Sequence, residues 1–439
     1  MVSSQKDDRP TIAYAISLIK CGDHQSNAAG MTDATLVLRH SIHKMHENSR
    51  YNYKMYAIVH RQAVECTDLL AQAGLEVVVR DPPLEVSEIR GEYLRKHIRR
   101  EWCCGADEFV KLYAYSLPEP IVVHMDVDFV LNRPMDELFD VMFNPASESK
   151  NQIQLERPTD PWPTQVDAFL TKDWGQSVPG ARPPGYQAGF LVARTNPKIL
   201  DELVEIIREG NYIGGLSKRN GWGGLGYGGF VGAMAMQGLL AYYYDVVRPG
   251  TWMELNQCRY NHMGMDTLYR HNPNFLRRHS KVGKCRNNKE YCEDCQVTPI
   301  PDIYSIHYTQ VSALVEMCIA DDQCYSIAHK PLQCRKPWNC IGESIKNSTE
   351  NANANVPDGS VILDHCLELQ KVWHDHRADL EDQLRALGAS TVDDSRAGSY
   401  KPHIFQGHCT ANGGDNYLTI GGDRREEALQ LAASLYAQA

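Results

Sequence analysis

The chain has 439 residues, of which 43% are hydrophobic and 23% charged, a composition typical of a globular protein with one large domain or a few smaller ones. Its formal net charge of −10 argues against a broad basic face for nucleic acid or an acidic membrane. No apolar run reaches the roughly 18 residues of a membrane span, and the polar first ten residues contain no signal-peptide core. We therefore expect no membrane span in this chain.

The first 125 residues alternate between apolar runs and helical patterns. Strands are predicted at 11–20, 53–60, 76–79 and 121–125, and helices at 33–46, 63–73 and 109–117. Thr32 or Asp33 is the expected cap of the first helix. Strands that alternate with helices along the chain favour a mainly parallel, doubly wound α/β sheet.

The remainder of the chain has a less regular pattern. Residues 144–188 are rich in Pro, Gly and Trp and are expected to be irregular, and residues 214–232 are dense in glycine. Glycine lets the backbone approach a ligand closely, which is the role expected for the second stretch. A strand is predicted at 189–193, and helices are predicted at 198–210, 362–387 and 426–436.

Half of the fourteen cysteines lie between Cys285 and Cys340. Such clustering indicates disulfides in an oxidising compartment or a thiolate zinc site, for which the Cys292-x-x-Cys295 pair is the local signal. Asn347 begins a glycosylation sequon. The sequence favours disulfides and a secretory lumen such as the Golgi, with the cytoplasm as the alternative.

The sharpest chemical feature is the pair Asp126 and Asp128, which follows the buried strand predicted at 121–125. In an extended chain, carboxylates two residues apart point to one side. Hard divalent cations prefer such oxygen ligands and complete their coordination with substrate phosphates. The carboxyl end of a parallel strand is also where open α/β sheets bind ligands. A divalent metal site is therefore predicted here, although a solvated turn has the same pattern.

The segment that contains this pair, residues 109–139, resembles the nucleotide-binding core of glycosyltransferase family eight, the glycogenin-like enzymes, in an algal or protist type of branch. A Lys-Leu helix, an apolar strand, Asp-x-Asp and a Leu-x-x-x-x-Asp-Glu-Leu-Phe segment follow in the family's order. The resemblance implies a GT-A fold with a single Rossmann-like sheet. It also implies that Asp126 and Asp128 bind Mn²⁺ or Mg²⁺ and that Lys111 contacts the donor.

The family ends its catalytic domain with a histidine six residues before a Lys-Pro-Trp motif. The resemblance implies that His307 is the third metal ligand and that Lys336, in Lys-Pro-Trp, contacts the pyrophosphate. Here the two are 29 residues apart. Removing 311–333 restores the spacing of six, so we interpret this segment as an insertion or a translated retained intron. The competing histidine, His329, lacks a preceding strand.

Two further matches to the family are partial. Gln187 and Gly189 stand where the family has an Asn-Ser-Gly segment that handles the donor sugar. Met236 and Gln237 stand where the family has Asp-Gln. The resemblance therefore makes Gln237 a candidate catalytic residue in the sugar pocket, together with Lys336, whereas Met236 removes the usual carboxylate.

From these features we expect a GT-A catalytic domain over 10–340 and a partly helical C-terminal extension over 341–439. The predicted function is metal-dependent, retaining transfer of a hexose from a nucleotide-sugar, such as a UDP-sugar, to a hydroxyl of a glycan, protein or lipid. A catalytically impaired sugar-nucleotide binder is the first alternative, and a zinc-dependent interaction module at 285–340 is the second.

Overall fold

The computed structural model describes residues 9–21, 25–100, 105–156, 161–172, 185–215, 219–230, 232–263, 295–308, 359–388 and 420–436. The strands are β1 (Thr11–Leu18), β2 (Asn52–His60), β3 (Glu76–Arg80), β4 (Ile121–Met125), β5 (Phe129–Leu131), β6 (Ala168–Lys172), β7 (Tyr186–Arg194), β8 (Tyr212–Ile213), β9 (Gly221–Trp222), β10 (Trp252–Glu254) and β11 (Ser305–His307). The α-helices are α1 (Gln25–His46), α2 (Thr67–Gln72), α3 (Glu92–His97), α4 (Asp136–Phe143), α5 (Ser149–Glu156), α6 (Pro197–Glu209), α7 (Met236–Tyr242), α8 (Gln257–Tyr260), α9 (Gly359–Ala386) and α10 (Arg425–Leu435). Helices of the 3₁₀ type span Arg61–Cys66, Val86–Glu88, Ile98–Arg100, Gly105–Ser116, Cys295–Val297, Ile300–Asp302 and Gly422–Arg424, and Tyr243–Val247 forms a π-helix.

Seven strands form one sheet in the order β10-β6-β7-β4-β1-β2-β3. All neighbours in it are parallel except β7, which runs antiparallel to both β4 and β6. Ile121–Met125 is buried at every position. A strand covered on both faces has no solvent-exposed side, which explains why this segment is a nearly continuous apolar run. The predicted mixed α/β architecture with a mainly parallel sheet is confirmed.

Two sequence-based expectations about the elements were wrong. The first helix begins at Gln25, so Thr32 and Asp33 lie buried inside α1 and do not cap it. The segment 144–188 contains α5 and β6 and is not irregular throughout. The helix expected over 109–117 is present, as a 3₁₀ helix over Gly105–Ser116.

The C-terminal helices are part of the main core of the molecule. Buried Leu369, Trp373 and Leu429 belong to the same apolar cluster as the inner faces of β1 and α1. A partly buried ion pair reinforces this packing, because Arg425 donates to the buried Asp33 over 2.7 Å. The extension predicted to follow residue 340 therefore contributes α9 and α10 to the fold of the sheet domain.

Two disulfides are present among the described residues, Cys21–Cys66 and Cys258–Cys295. Cys295 is thus bonded to a cysteine outside the Cys285–Cys340 cluster and is not available as a zinc thiolate. Cys292 lies outside the described residues. None of the helices in the described ranges is both long and apolar enough to cross a membrane.

Candidate active site

The two aspartates lie at the carboxyl edge of the sheet, in the turn that joins β4 to β5. The turn, rather than an extended chain, brings them together. Asp126, Asp128 and His307 each offer one ligand atom, and these atoms all lie within 4.8 Å of one another. They form the one such group of three or more found among the described residues. The structure therefore brings the three predicted side chains together.

His307 reaches this group because its short strand pairs with the strand that follows the aspartates. In the antiparallel ladder of β11 and β5, His307 is opposite Phe129. The two rings stack with their centroids 4.1 Å apart. The ladder is extended by Tyr308, whose N–H donates to the carbonyl oxygen of Asp128 over 2.8 Å. Backbone pairing therefore fixes His307 beside Asp128, although the two residues are far apart in the sequence.

Asn261 sets the orientation of the His307 ring. Its Oδ1 lies 3.0 Å from His307 Nδ1, and its own Nδ2 donates to Thr171 Oγ1 over 2.8 Å. An amide oxygen only accepts hydrogen bonds, so Nδ1 carries a proton, and the neutral tautomer with this proton has its lone pair at Nε2. That lone pair faces Asp128 Oδ1 at 3.3 Å. Two acceptors this close repel unless a proton or a cation lies between them, so the donor set fits a divalent metal.

A cationic side chain adjoins the group. Lys111, on the 3₁₀ helix, places Nζ 3.0 Å from Asp126 Oδ1 and is itself buried. Burial acts to raise the pKa of Asp126, but the adjacent ammonium of Lys111 lowers it below its usual value. Behind the site, burial lowers the pKa of His124 to about 3, and its Nε2 is hydrogen-bonded to Ser17 Oγ over 2.8 Å.

Gly189 lies in close contact with the candidate metal ligands. A Cβ at this position would lie 2.6 Å from Asp126 Oδ2, 2.7 Å from His307 Cε1 and 2.8 Å from Gln187 Oε1. The Gly189 carbonyl accepts from the Asp126 N–H over 3.0 Å, and its own N–H donates to Gln187 Oε1 over 2.5 Å. Gln187 and Gly189 were predicted to lie in the donor site, and the structure brings both beside the candidate metal ligands. The two residues contact each other, and Gly189 also lies against Asp126 and His307.

The helix that carries Gln237 is connected to Lys111 through Glu108. Met236 N donates to Glu108 Oε2 over 3.3 Å, and Glu108 Oε1 is 3.2 Å from Lys111 Nζ. Gln237 is buried, and its side chain packs against Gly232 in the glycine-rich stretch. Neither Glu108 nor Asn261 was predicted, because nothing in their local sequence distinguishes them. The candidate phosphate lysine, Lys336, lies outside the described residues.

A cavity of about 560 Å³ opens on the same edge of the sheet, at the carboxyl ends of β2 and β3. Its lining includes His60, Arg61 and Asp81, together with Asp107 of the helix that bears Lys111. His60 Nδ1 accepts from the Gln62 N–H over 3.0 Å, so the proton of the neutral ring is on Nε2, which lies 4.0 Å from Asp107 Oδ1. Arg61 donates through Nε to both carboxylate oxygens of Asp81. The cavity is polar and about the size of a small-molecule site.

The fold and the site together define a mixed α/β protein with a carboxylate–imidazole group at the carboxyl edge of its sheet. No protein-family model and no curated protein matches this chain. Solved structures to which it is similar include mouse xyloside xylosyltransferase 1 in its apo form, with 11% identity and a TM-score of 0.36 over 68% of this chain and 97% of that chain. The galactosyltransferase LgtC with donor and acceptor sugar analogs shows 13% identity and a TM-score of 0.35 over 72% of this chain and 95% of that one. The glycosyltransferase GlyE of Streptococcus pneumoniae TIGR4 shows 10% identity and a TM-score of 0.36 over 81% of this chain and 63% of that one.

Proposed function

We propose that this chain is a metal-dependent glycosyltransferase of the GT-A type that uses a nucleotide-sugar donor. The observation that carries the proposal is the convergence of Asp126, Asp128 and His307 within 4.8 Å, beside the ammonium of Lys111. Two carboxylates and an imidazole suit Mn²⁺ or Mg²⁺ when a diphosphate supplies the remaining oxygens. The resemblance to glycosyltransferase family eight at residues 109–139 supports the same assignment.

When bound, a divalent cation would be held by Asp126, Asp128 and His307 and would supply Lewis-acid neutralisation of negative charge on the nucleoside diphosphate. Lys111 adds a positive charge beside the same group, and preorganised charges of this kind contribute about 10²–10³ in rate. Asn261 holds His307 in the tautomer that exposes Nε2. We propose that Lys336 adds a second positive charge at the pyrophosphate, as the sequence resemblance implies.

Glycoside hydrolysis by paired carboxylates is disfavoured by the geometry. Asp126 and Asp128 share one turn and offer their oxygens from the same side. A hydrolase needs two carboxyl groups on opposite sides of the sugar, about 5 to 9.5 Å apart. Following the resemblance to glycosyltransferase family eight, we propose retaining transfer by front-face attack of an acceptor hydroxyl on a glycan, protein or lipid, with Gln187 and Gln237 at the donor sugar.

We further propose that the nucleoside of the donor enters the cavity at the ends of β2 and β3. The cavity is lined by Ala106 and Asp107, one turn or so from Lys111 on the same 3₁₀ helix. A 3₁₀ helix rises about 2 Å per residue, so Asp107 and Lys111 are separated along it by roughly 8 Å, comparable with the distance from ribose to β-phosphate in a nucleoside diphosphate. UDP-sugars are the donors to test first.

The two disulfides support a further part of the proposal, namely that the protein works in an oxidising compartment such as the secretory lumen. Disulfides persist there and are rare in the reducing cytosol. Mass spectrometry of alkylated protein purified from its native source checks this directly. Linked Cys21–Cys66 and Cys258–Cys295 peptides are expected, whereas four free thiols would favour the cytoplasm.

The experiment that tests the function compares the wild-type chain with Asp128→Asn and with Asp201→Asn, whose position on α6 is exposed. UDP binding that requires Mn²⁺, and slow Mn²⁺-dependent hydrolysis of a UDP-sugar, are expected for the wild type and Asp201→Asn only. Binding without hydrolysis or transfer across a donor panel would identify a catalytically impaired sugar-nucleotide binder. Failure of the wild type to bind Mn²⁺ at all, or zinc held independently of nucleotide, would refute the proposal.

A further inference from the structure

Glu108 connects two parts of the candidate active site, Lys111 and the start of α7. Its Oε1 lies 3.2 Å from Lys111 Nζ, one turn further along the same 3₁₀ helix. Its Oε2 accepts from the backbone N–H of Met236 at the start of α7, over 3.3 Å. The Glu108 side chain is 17% exposed and that of Lys111 is 9% exposed, so solvent screens these contacts less than it screens surface pairs.

Lys111 lies between two carboxylates, because its Nζ is 3.0 Å from Asp126 Oδ1 and 3.2 Å from Glu108 Oε1. Asp126 is also a candidate metal ligand. A divalent cation on Asp126 repels the ammonium of Lys111 and competes with it for the same carboxylate. Lys111 then needs a second anion within reach of the same side chain, and Glu108 provides it.

We propose that Glu108 is a positioning residue of the donor site, an inference that rests on the function proposed above. Its carboxylate holds Lys111 when a divalent cation occupies Asp126, and it keeps that ammonium beside the first turn of α7, which carries Gln237. Glu108 thereby lowers the cost of metal binding and connects the metal site to the helix of the sugar pocket. It acts through Lys111 and not by touching the metal.

A double-mutant cycle on Mn²⁺ affinity tests whether Glu108 acts through Lys111. Free Mn²⁺ is measured by electron paramagnetic resonance, with saturating UDP, in wild type, Glu108→Gln, Lys111→Met and the double variant. Glu108→Gln is expected to weaken Mn²⁺ binding about fivefold in the wild-type background, the size of effect typical of partly buried ion pairs. In the Lys111→Met background, the same substitution is expected to change affinity less than about twofold.

Two further variants complete the design. Glu108→Asp retains the charge and is expected to recover part of the affinity lost in Glu108→Gln. Glu92→Gln removes the carboxylate of an exposed Glu92–Lys96 pair on α3, a matched Glu–Lys contact outside the donor site, and is expected to bind Mn²⁺ as the wild type does. Thermal unfolding in parallel verifies that each variant is folded.

The outcomes separate this inference from the proposed function. If the wild type fails to bind Mn²⁺, both are overturned. If the wild type binds Mn²⁺ and Glu108→Gln binds it equally well, the role of Glu108 alone is overturned. An equal loss in the wild-type and Lys111→Met backgrounds also overturns it, because Glu108 would then act by its charge and not through Lys111.

Discussion

Replacing Gly189 by alanine tests the geometry of the site with a single methyl group. The backbone of Gly189 is not in the left-handed region, so alanine is compatible with its conformation and the effect is steric. The added Cβ would lie 2.6 Å from Asp126 Oδ2 and 2.7 Å from His307 Cε1. Ordinary contact begins near 3.4 Å, so the side chains of both candidate metal ligands must move by several tenths of an ångström.

The displacement is large compared with what a metal site tolerates, since ligand distances vary by only about 0.2 Å. We expect Gly189→Ala to weaken Mn²⁺ binding about 10- to 100-fold, the range seen when groups that orient ligands are changed. The overpacking should also lower the free energy of unfolding by about 1–3 kcal/mol. Free Mn²⁺ measured by electron paramagnetic resonance gives the first quantity, and urea denaturation gives the second.

The control is Gly250→Ala, which is expected to lose stability without affecting metal binding. Gly250 has a φ of +74°, and no heavy atom beyond Gly250 and its two chain neighbours lies within 4 Å of the position that an added methyl group would take. The substitution therefore strains the backbone by about 1–2 kcal/mol and displaces nothing. Gly250 precedes β10, at the edge of the sheet opposite the aspartates. Wild-type Mn²⁺ affinity in a folded Gly189→Ala protein would refute the assigned geometry.

Two other predictions follow from the contacts around the site and the core. Asn261→Leu removes the partner of His307 Nδ1 and should weaken Mn²⁺ binding about tenfold in the same titration, whereas Thr171→Val, one contact further away, should have a smaller effect. Burial lowers the pKa of His46 and of His376 to about 4, from an ordinary value of 6.5. The unfolded chain therefore takes up protons first, so the free energy of unfolding is at its full value above about pH 6.5 and decreases as the pH falls toward 4. Urea denaturation at several pH values measures this; His46→Gln should reduce the dependence, and equal stability at about pH 7 and pH 5 would contradict the prediction.

The sheet was predictable because each buried strand has a direct counterpart in the sequence. The apolar runs at 11–20, 53–60 and 121–125 correspond closely to β1, β2 and β4. The strand within 189–193 was also located, but its antiparallel direction in β7 was not, since direction depends on how the preceding connection crosses the sheet. The apolar pattern within a segment indicates that it forms a strand, whereas the direction of that strand in the sheet depends on the connections along the whole chain.

The start of α1 shows how tertiary contacts override a local signal. Asp33 has the residue type of a helix cap, yet its carboxylate accepts from Ile420 N and Arg425 Nη1, nearly 400 residues later. A buried carboxylate needs partners, and here they come from the C-terminal segment. No pattern near Asp33 indicates that pairing, so the cap prediction was the natural one and was wrong.

In the candidate site as well, residues with a recognisable local pattern could be predicted, whereas residues brought close only by the fold could not. Asp126 and Asp128 were identifiable because two carboxylates follow a buried strand. Asn261 and Glu108 were not, because an asparagine that orients a histidine and a glutamate that holds a lysine have no spacing rule of their own. They are recognisable only by their distances to His307 and Lys111.

The position of His307 bears on the insertion hypothesis for residues 311–333. His307 is fixed by the ladder of β11 with β5, by the bond from its N–H to the His262 carbonyl, and by Asn261, all of which involve residues at or before 307. Together with Tyr308, whose N–H donates to Asp128, these contacts are enough to hold His307 beside the aspartates. On the insertion hypothesis, removing 311–333 is therefore expected to affect Lys336 rather than His307. A chain without 311–333 should bind Mn²⁺ with unchanged affinity, and any gain on removing the segment should be confined to the affinity for the diphosphate.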